Sequence, residues 1–196
     1  MRARAAVVSE PSYQDLVAQV RQLPEGKVGQ VLDGKLHVGN SCAPAHVHVV
    51  AELSATLLAG SPGGDPVPDG WTFLTQVELA LPDEALVVAD IAGWEAPRDR
   101  IVALPAPIEL IPAWVCEVLD PSTRALDLTH KRKAYAAAGV RTLWIVDPTA
   151  QVLEVFQNVR GRWTLAVAVS DDEIAAPPFE RLRFDVGELF MPHSRR

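Results

Sequence analysis

The sequence predicts a mixed α/β domain, and three observations lead there. The chain has 196 residues, 48% hydrophobic and 22% charged, which is the composition of one globular unit able to bury a sizeable core. From Trp71 onward, short apolar runs with strand character dominate, whereas helical spacing of apolar residues marks separate stretches before and among them. The order is roughly helix, β-hairpin, helix, three strands, helix, strand, β-hairpin and tail. There is no internal repeat or low-complexity tract, so residues 1–196 are expected to form a single domain.

Each element has a local reason. Ser9 to Leu23 opens on Ser-Glu-Pro and spaces Tyr13, Leu16, Val17 and Val20 helically, with Pro near the first turn where its missing N–H costs least. In Lys27 to Val38, Asp33-Gly34 separates two apolar runs and supplies the positive φ angles of a two-residue hairpin turn. After the loop GNSCAP, Ala45 to Leu58 aligns Val49, Val50, Leu53, Thr56 and Leu57 on one helical face. The segment GSPGGDPVPDG then ends that helix in a surface loop.

Three strands are expected next, in FLTQVELAL, ALVVADIAGW and IELIPAWVCEVL, the last two nearly continuous apolar runs. Asp127 to Ala138 reads as a helix stopped by Gly139, and TLWIVD as a buried strand. VLEVFQNVRGRWTLAVAV reads as a hairpin turning near Arg160-Gly161. A short strand near Leu182 and a helical turn at Val186 to Phe190 complete the chain.

Several function classes recede at once. The start, MRARAAVVSEP, has no apolar run long enough for a signal peptide, and no later segment has the length of a membrane span. Two cysteines at unrelated positions, Cys42 and Cys116, need no disulfide framework, so a cytoplasmic protein without a membrane partner is expected. A formal charge of −7 repels nucleic acid at long range, so such a partner would need a local basic patch or bound cations. No G-x-G-x-x-G or P-loop pattern occurs. HVH at His46 to His48 lacks a zinc-binding partner motif. Ser41 in GNSCA lacks the last glycine of a nucleophile elbow and an assignable acid and histidine, which leaves a serine hydrolase as the weakest reading.

The chemistry concentrates in two acids that interrupt apolar strands. Asp90, which by strand period shares a face with Val88 and Ala92, and Glu117, central in WVCEVL, would each be costly to bury unpaired. On neighbouring strands they would repel unless a proton or a cation lay between them. Two carboxylates with the carbonyl of Val118 form the hard oxygen shell that Mg²⁺ or Mn²⁺ prefers. On the next helix Lys131 and Tyr135 lie four apart on one face, with Lys133 turned roughly 200° away. Lys131 is thereby placed to orient water or stabilise developing negative charge.

Asp90, Glu117 and DPSTRALDLTHKRKAYAAAGVRTLWIVDP resemble the putative restriction endonuclease family of the PD-(D/E)xK nuclease superfamily, with VLDGKL and AHVHVV as further support. The resemblance covers most of the chain. It implies a restriction-endonuclease-like core, with a central mixed sheet flanked by helices, and Mg²⁺-dependent hydrolysis of DNA. It assigns metal ligation to Asp90 and Glu117, and gives Lys131 the role of the lysine usually found two residues after the glutamate, where this chain has Leu119. Ala89 replaces the expected proline, and Gln30 stands where an acid is frequent and could weaken a second metal. His46 and Glu52 are candidates for supporting the site. At six residues apart they lie about 120° apart on a helix, so at most one should face it.

Plainer readings stand beside these. Asp90 and Glu117 could be structural acids paired with Arg98, Arg124 or Lys131, and Lys131 could simply pair with Asp127 at i, i+4. Arg124, Lys131, Arg132, Lys133 and Arg141 read more readily as a solvated face than as a phosphate-binding patch. A nuclease cutting both strands of a duplex would call for a homodimer. The alternative function is a catalytically inactive binding or assembly module on the same fold.

Overall fold

The computed structural model describes residues 10–40, 42–59 and 70–190. The serine reading at Ser41 and most of the loop expected at residues 60–70 therefore lie outside the described residues. Helix α1 (Tyr13–Arg21) starts from Ser12, whose side chain accepts the Asp15 N–H while Asp15 reaches back to the Ser12 N–H, so two otherwise orphaned donors are satisfied reciprocally. Strands β1 (Lys27–Leu32) and β2 (Lys35–Asn40) pair antiparallel around Asp33 (φ 48°) and Gly34 (φ 69°), the mirror-image turn the sequence predicts. Helix α2 (Pro44–Ala59) buries His46, Val49, Leu53 and Leu57.

Long strands β3 (Trp71–Leu81) and β4 (Ala85–Glu95) follow as a hairpin, then short α3 (Arg98–Val102) and β5 (Trp114–Val118). The expected strand from Ile108 begins only at Trp114. Ile108 instead makes an isolated bridge to β3, exchanging hydrogen bonds with Glu78 and Ala80, and Pro112, which lacks an N–H, falls before β5.

The helical stretch after β5 runs from residue 124, earlier than expected, in three parts: α4 (Arg124–Leu126), a π-turn (Asp127–Lys131) and α5 (Arg132–Ala138). It stops at Gly139, φ 86°, where a left-handed backbone suits glycine. Strands β6 (Thr142–Asp147), β7 (Val152–Val159) and β8 (Arg162–Val169) come next. A hairpin of β9 (Glu173–Ala176) and β10 (Phe179–Asp185) then leads into a 3₁₀ turn, Val186–Leu189. β9 was not foreseen.

Eight strands form one mixed sheet in the order β2-β1-β4-β5-β6-β7-β8, with β3 on the other edge of β4. Only β5 and β6 are parallel; the other neighbours run antiparallel. One face packs against α3 and the α4–α5 stretch through Val87, Trp94, Val115, Leu143, Ile145 and Tyr135. The opposite face packs against α2 and the β9–β10 hairpin, where Trp114, Trp144 and Phe179 meet edge to face.

Two departures from regular pairing place the site. First, β4 shares one edge between two partners: β1 meets it at Leu86 and β5 meets it at Ile91 to Gly93, so the sheet forks between them. Second, the alternation of buried residues changes phase at the fork. Val77 and Leu79 on β3 and Val87 and Ala89 on β4 face the α5 side. Beyond the fork, Leu74, Ala92 and Trp94 do so, while Ile91 joins the opposite core. The expectation that Asp90 shares a face with Val88 and Ala92 is thus corrected, because strand period does not carry across Asp90. In the sequence, apolar residues on both sides of Asp90 in VVADIAGW hide the shift.

Candidate functional site

The fork leaves backbone groups that no neighbouring strand reaches, and side chains take them. The Val88 N–H donates to Gln30 Oε1 at 3.0 Å, and Lys131 Nζ donates to the Val88 carbonyl at 2.8 Å. The Val118 N–H donates to Asp90 Oδ2 at 2.8 Å, so a carboxylate stands where a β4 carbonyl would otherwise complete the ladder. An N–H and C=O of one residue point to the same strand edge, hence the Val118 carbonyl also faces the Asp90 strand.

Asp90, 7% exposed, is gripped from two further directions. His46 on α2 brings Nε2 to 3.0 Å from Oδ2, and Gln76 Nε2 donates to Oδ1 at 2.8 Å. Gln76 sits opposite Asp90, between the pairs Thr75–Ile91 and Val77–Ala89, with φ +49°. A non-glycine residue held in the left-handed region inside a strand carries strain that its surroundings must offset; here its amide reaches Asp90. The sequence reading missed Gln76, and the only available signal was a polar residue interrupting the alternation of FLTQVELAL.

Glu117 lies on the other face with Val115 and Leu119, 0% exposed. Tyr135 OH donates to Oε1 at 2.5 Å and Lys131 Nζ to Oε2 at 2.9 Å. Lys131, 4% exposed, also contacts Asp127 Oδ1 at 3.0 Å. Lys131 thus donates hydrogen bonds to Val88 O and Glu117 and has Asp127 as an ion-pair partner. The plain i, i+4 pair and the contact to Glu117 both occur. The π-turn from Asp127 to Lys131 adds a residue to the helical turn, and both of its ends are buried beside the fork.

The electrostatics follow from one lysine among three buried carboxylates. Burial drives the Glu117 carboxyl well above its usual range, with the Asp90 and Asp127 charges adding to it against the pull of Lys131. Burial also acts to lower Lys131, but Glu117, Asp127 and Asp90 outweigh it and hold the ammonium charged. Asp90 resists its own desolvation through His46, Lys131 and the Val118 N–H, and stays below the usual carboxylate range. Burial first, then Asp90 and Asp120, push the nearby Cys42 thiol up to about 11, so it offers no thiolate near neutrality.

A small cavity of about 40 Å³ opens onto this cluster, lined in part by Gln30, Cys42, His46, Gln76, Asp90 and Lys131. Among the described residues, no three His, Cys, Asp or Glu side chains converge as a metal-holding group, so any cation here would rest on two carboxylates and backbone oxygen. Carboxylate oxygen is the donor type a hard cation takes, with Asp90 lining the cavity and Glu117 buried outside its lining. Asp90 accepts three hydrogen bonds and Glu117 two, against about four lone-pair sites on each carboxylate, and the cluster carries excess negative charge.

Of the supporting candidates, His46 meets Asp90, whereas Glu52 is half-exposed and lies 4.0 Å from His48. Gln30 is buried at the fork and braces Val88. The basic residues on and just after the helix pair separately. Arg124 pairs with Asp147, Lys133 with Asp33 and Arg141 with Glu95, while Arg132 lies over the Phe156 ring. Among the described residues no helix is long and apolar enough to cross a membrane.

A family described as "Putative restriction endonuclease" matches residues 17–187. The crystal structure of a putative nuclease belonging to DUF820 from Anabaena variabilis superposes with a TM-score of 0.69 at 18% identity, covering 91% of this chain and 97% of that one. At that identity the likeness is one of fold. No curated protein matches the sequence.

Proposed function

We propose that this chain, which belongs to the putative restriction endonuclease family, is a divalent-metal-dependent DNA endonuclease whose active site is the fork between β1, β4 and β5. The observation that carries the reading is the buried group of Asp90, Glu117 and Lys131 at 0–7% exposure, with more carboxylate than cation.

Asp90, Glu117 and the Val118 carbonyl would hold Mg²⁺ or Mn²⁺, which when bound would polarise a phosphodiester and acidify water. The chain's own residues do the rest. Gln76 and His46 fix the Asp90 carboxylate from two sides, and Tyr135 fixes Glu117, so neither acid reorganises as charge develops. Lys131, held charged beside Glu117, donates hydrogen bonds to the attacking water or to the anionic transition state. The two unpaired thiols, Cys42 and Cys116, fit a reducing compartment such as the cytoplasm. Cleavage of both duplex strands would bring two copies together.

One observation favours the second reading, a binding or assembly module without catalysis: Lys131 is engaged by Val88 O, Glu117 and Asp127, and Glu117 is closed to solvent. Cleavage of a mixed-sequence duplex in Mg²⁺ or Mn²⁺ by wild type, Asp90→Asn and Glu117→Gln separates the two. The nuclease reading expects cleavage by wild type and a loss of about a thousandfold or more in each variant. Equal cleavage in either variant would remove that residue from the site.

A further inference from the structure

Beside the fork lies a second charged group that the proposed chemistry does not use. The hairpin turn projects Asp33 onto the helix carrying Lys131. Asp33 Oδ2 lies 2.6 Å from His130 Nδ1 and Oδ1 accepts from Lys133 Nζ at 2.8 Å. His37, whose ring lies 5.3 Å from that of His130, has a buried Nε2 without a hydrogen-bond partner. His37 pairs with Gln30 across β1 and β2, so both side chains lie on one face, and Gln30 lines the cavity with Asp90 and Lys131. His37 is thus the cross-strand neighbour of a cavity-lining residue, and His130 and Lys133 lie one and two residues from Lys131 on the helix, outside the cavity's own lining.

We infer that His130 and Lys133, with His37 beside them, form a binding site for a backbone phosphate of DNA, and that the Asp33 carboxylate occupies this site when no DNA is bound. A carboxylate and a phosphate oxygen ask for the same donors, and the phosphate offers more acceptor oxygens to His130 and Lys133. Asp33 and His130 are each 42% exposed and Lys133 73%. An ion pair so open to water contributes little to stability and is readily exchanged. In a chain of net charge −7, an internal anion that masks cations until a phosphate displaces it keeps the surface from attracting unrelated anions.

This rests on reading the fork as a phosphodiester site, yet its test is independent of cleavage. Binding of a fluorescent mixed-sequence duplex is measured by anisotropy in EDTA, over a range of salt, for wild type, Asp33→Asn, Asp33→Gly and Asp33→Asn/Lys133→Ala. Asn and Gly both tolerate the positive φ at position 33, so the turn survives the loss of charge. Both single variants are expected to bind about tenfold more tightly at low salt, with a log–log salt slope about one unit steeper. The added Lys133→Ala should cancel the gain.

Unchanged or weaker binding in both folded Asp33 variants would overturn the inference, as would a gain that survives Lys133→Ala. Tightened binding in a protein that never cleaves would leave this site standing and sink the nuclease reading. Active cleavage with unchanged binding would do the reverse.

Discussion

The two faces of the central sheet obey opposite rules. On one, Trp114, Trp144 and Phe179 pack with ring centroids 5.3–5.7 Å apart, with Phe73 and Trp71 alongside. Apolar side chains dominate that core, and His46 on α2 is the polar exception, turned to Asp90. On the other, the fork buries Glu117, Asp127 and Lys131 beside Asp90 and holds Gln76 at φ +49°. Desolvated charge and backbone strain both oppose folding. The aromatic face thus provides the stability that the fork consumes, and a region that is costly to keep yet fully organised is where function is expected.

Removing Phe179 should break the comparison most sharply from the stable side. Phe179→Ala leaves a cavity among four aromatic rings, and denaturant titration should show a loss of about 3–5 kcal/mol. Cleavage per folded molecule should be unaffected.

Next in size, Lys131→Met removes the cation shared by three buried carboxylates, with an expected cost of about 3 kcal/mol. Adding Glu117→Gln should recover part of that cost, because one uncompensated charge disappears. Additive losses in this double-mutant cycle would mean that the two groups are not coupled.

Gln76→Gly should separate stability from function. Glycine accepts the left-handed backbone, so stability should hold or rise by up to about 1 kcal/mol. Asp90 loses a hydrogen bond, so metal-supported cleavage should fall by about tenfold. A variant both less stable and fully active would refute the assignment of Gln76 as a positioning residue.

The smallest effect is a control at a carboxylate outside the cavity lining. Asp147 stays below the usual carboxylate range because the Ala150 N–H, Arg124 and the Thr149 N–H outweigh its partial burial. A depressed folded pKa contributes stability that is present above the unfolded value and lost as pH falls through the folded one. Asp147→Asn should therefore cost about 1 kcal/mol near neutrality, with the difference from wild type beginning to shrink near about pH 4 and vanishing only below the depressed folded pKa.

Much of this was legible in the residues. The Asp33-Gly34 and Arg160-Gly161 turns fixed two hairpins, and the apolar runs located β4, β5 and β6. The opposition of Lys131 and Lys133 on their helix followed from helical geometry alone: one is buried and the other 73% exposed. Asp90, Glu117 and Lys131 stood out because charge in an apolar strand, or aligned with Tyr135, is costly without a partner. The fork itself was not legible. It depends on β1 and β5 competing for one edge of β4, a long-range event that leaves no local period. For the same reason the phase shift at Asp90, the clamp from Gln76 and the bracing role of Gln30 became visible only once three strands were brought together.

Calorimetric titration of Mn²⁺ and Mg²⁺ into wild type and the Asp90→Asn/Glu117→Gln double variant, each checked for folding by circular dichroism and repeated with a duplex oligonucleotide present, tests the fork most directly. A metal site there predicts binding heat in wild type that disappears in a folded double variant. No binding by wild type, with or without DNA, would contradict it and leave the buried acids as structure alone.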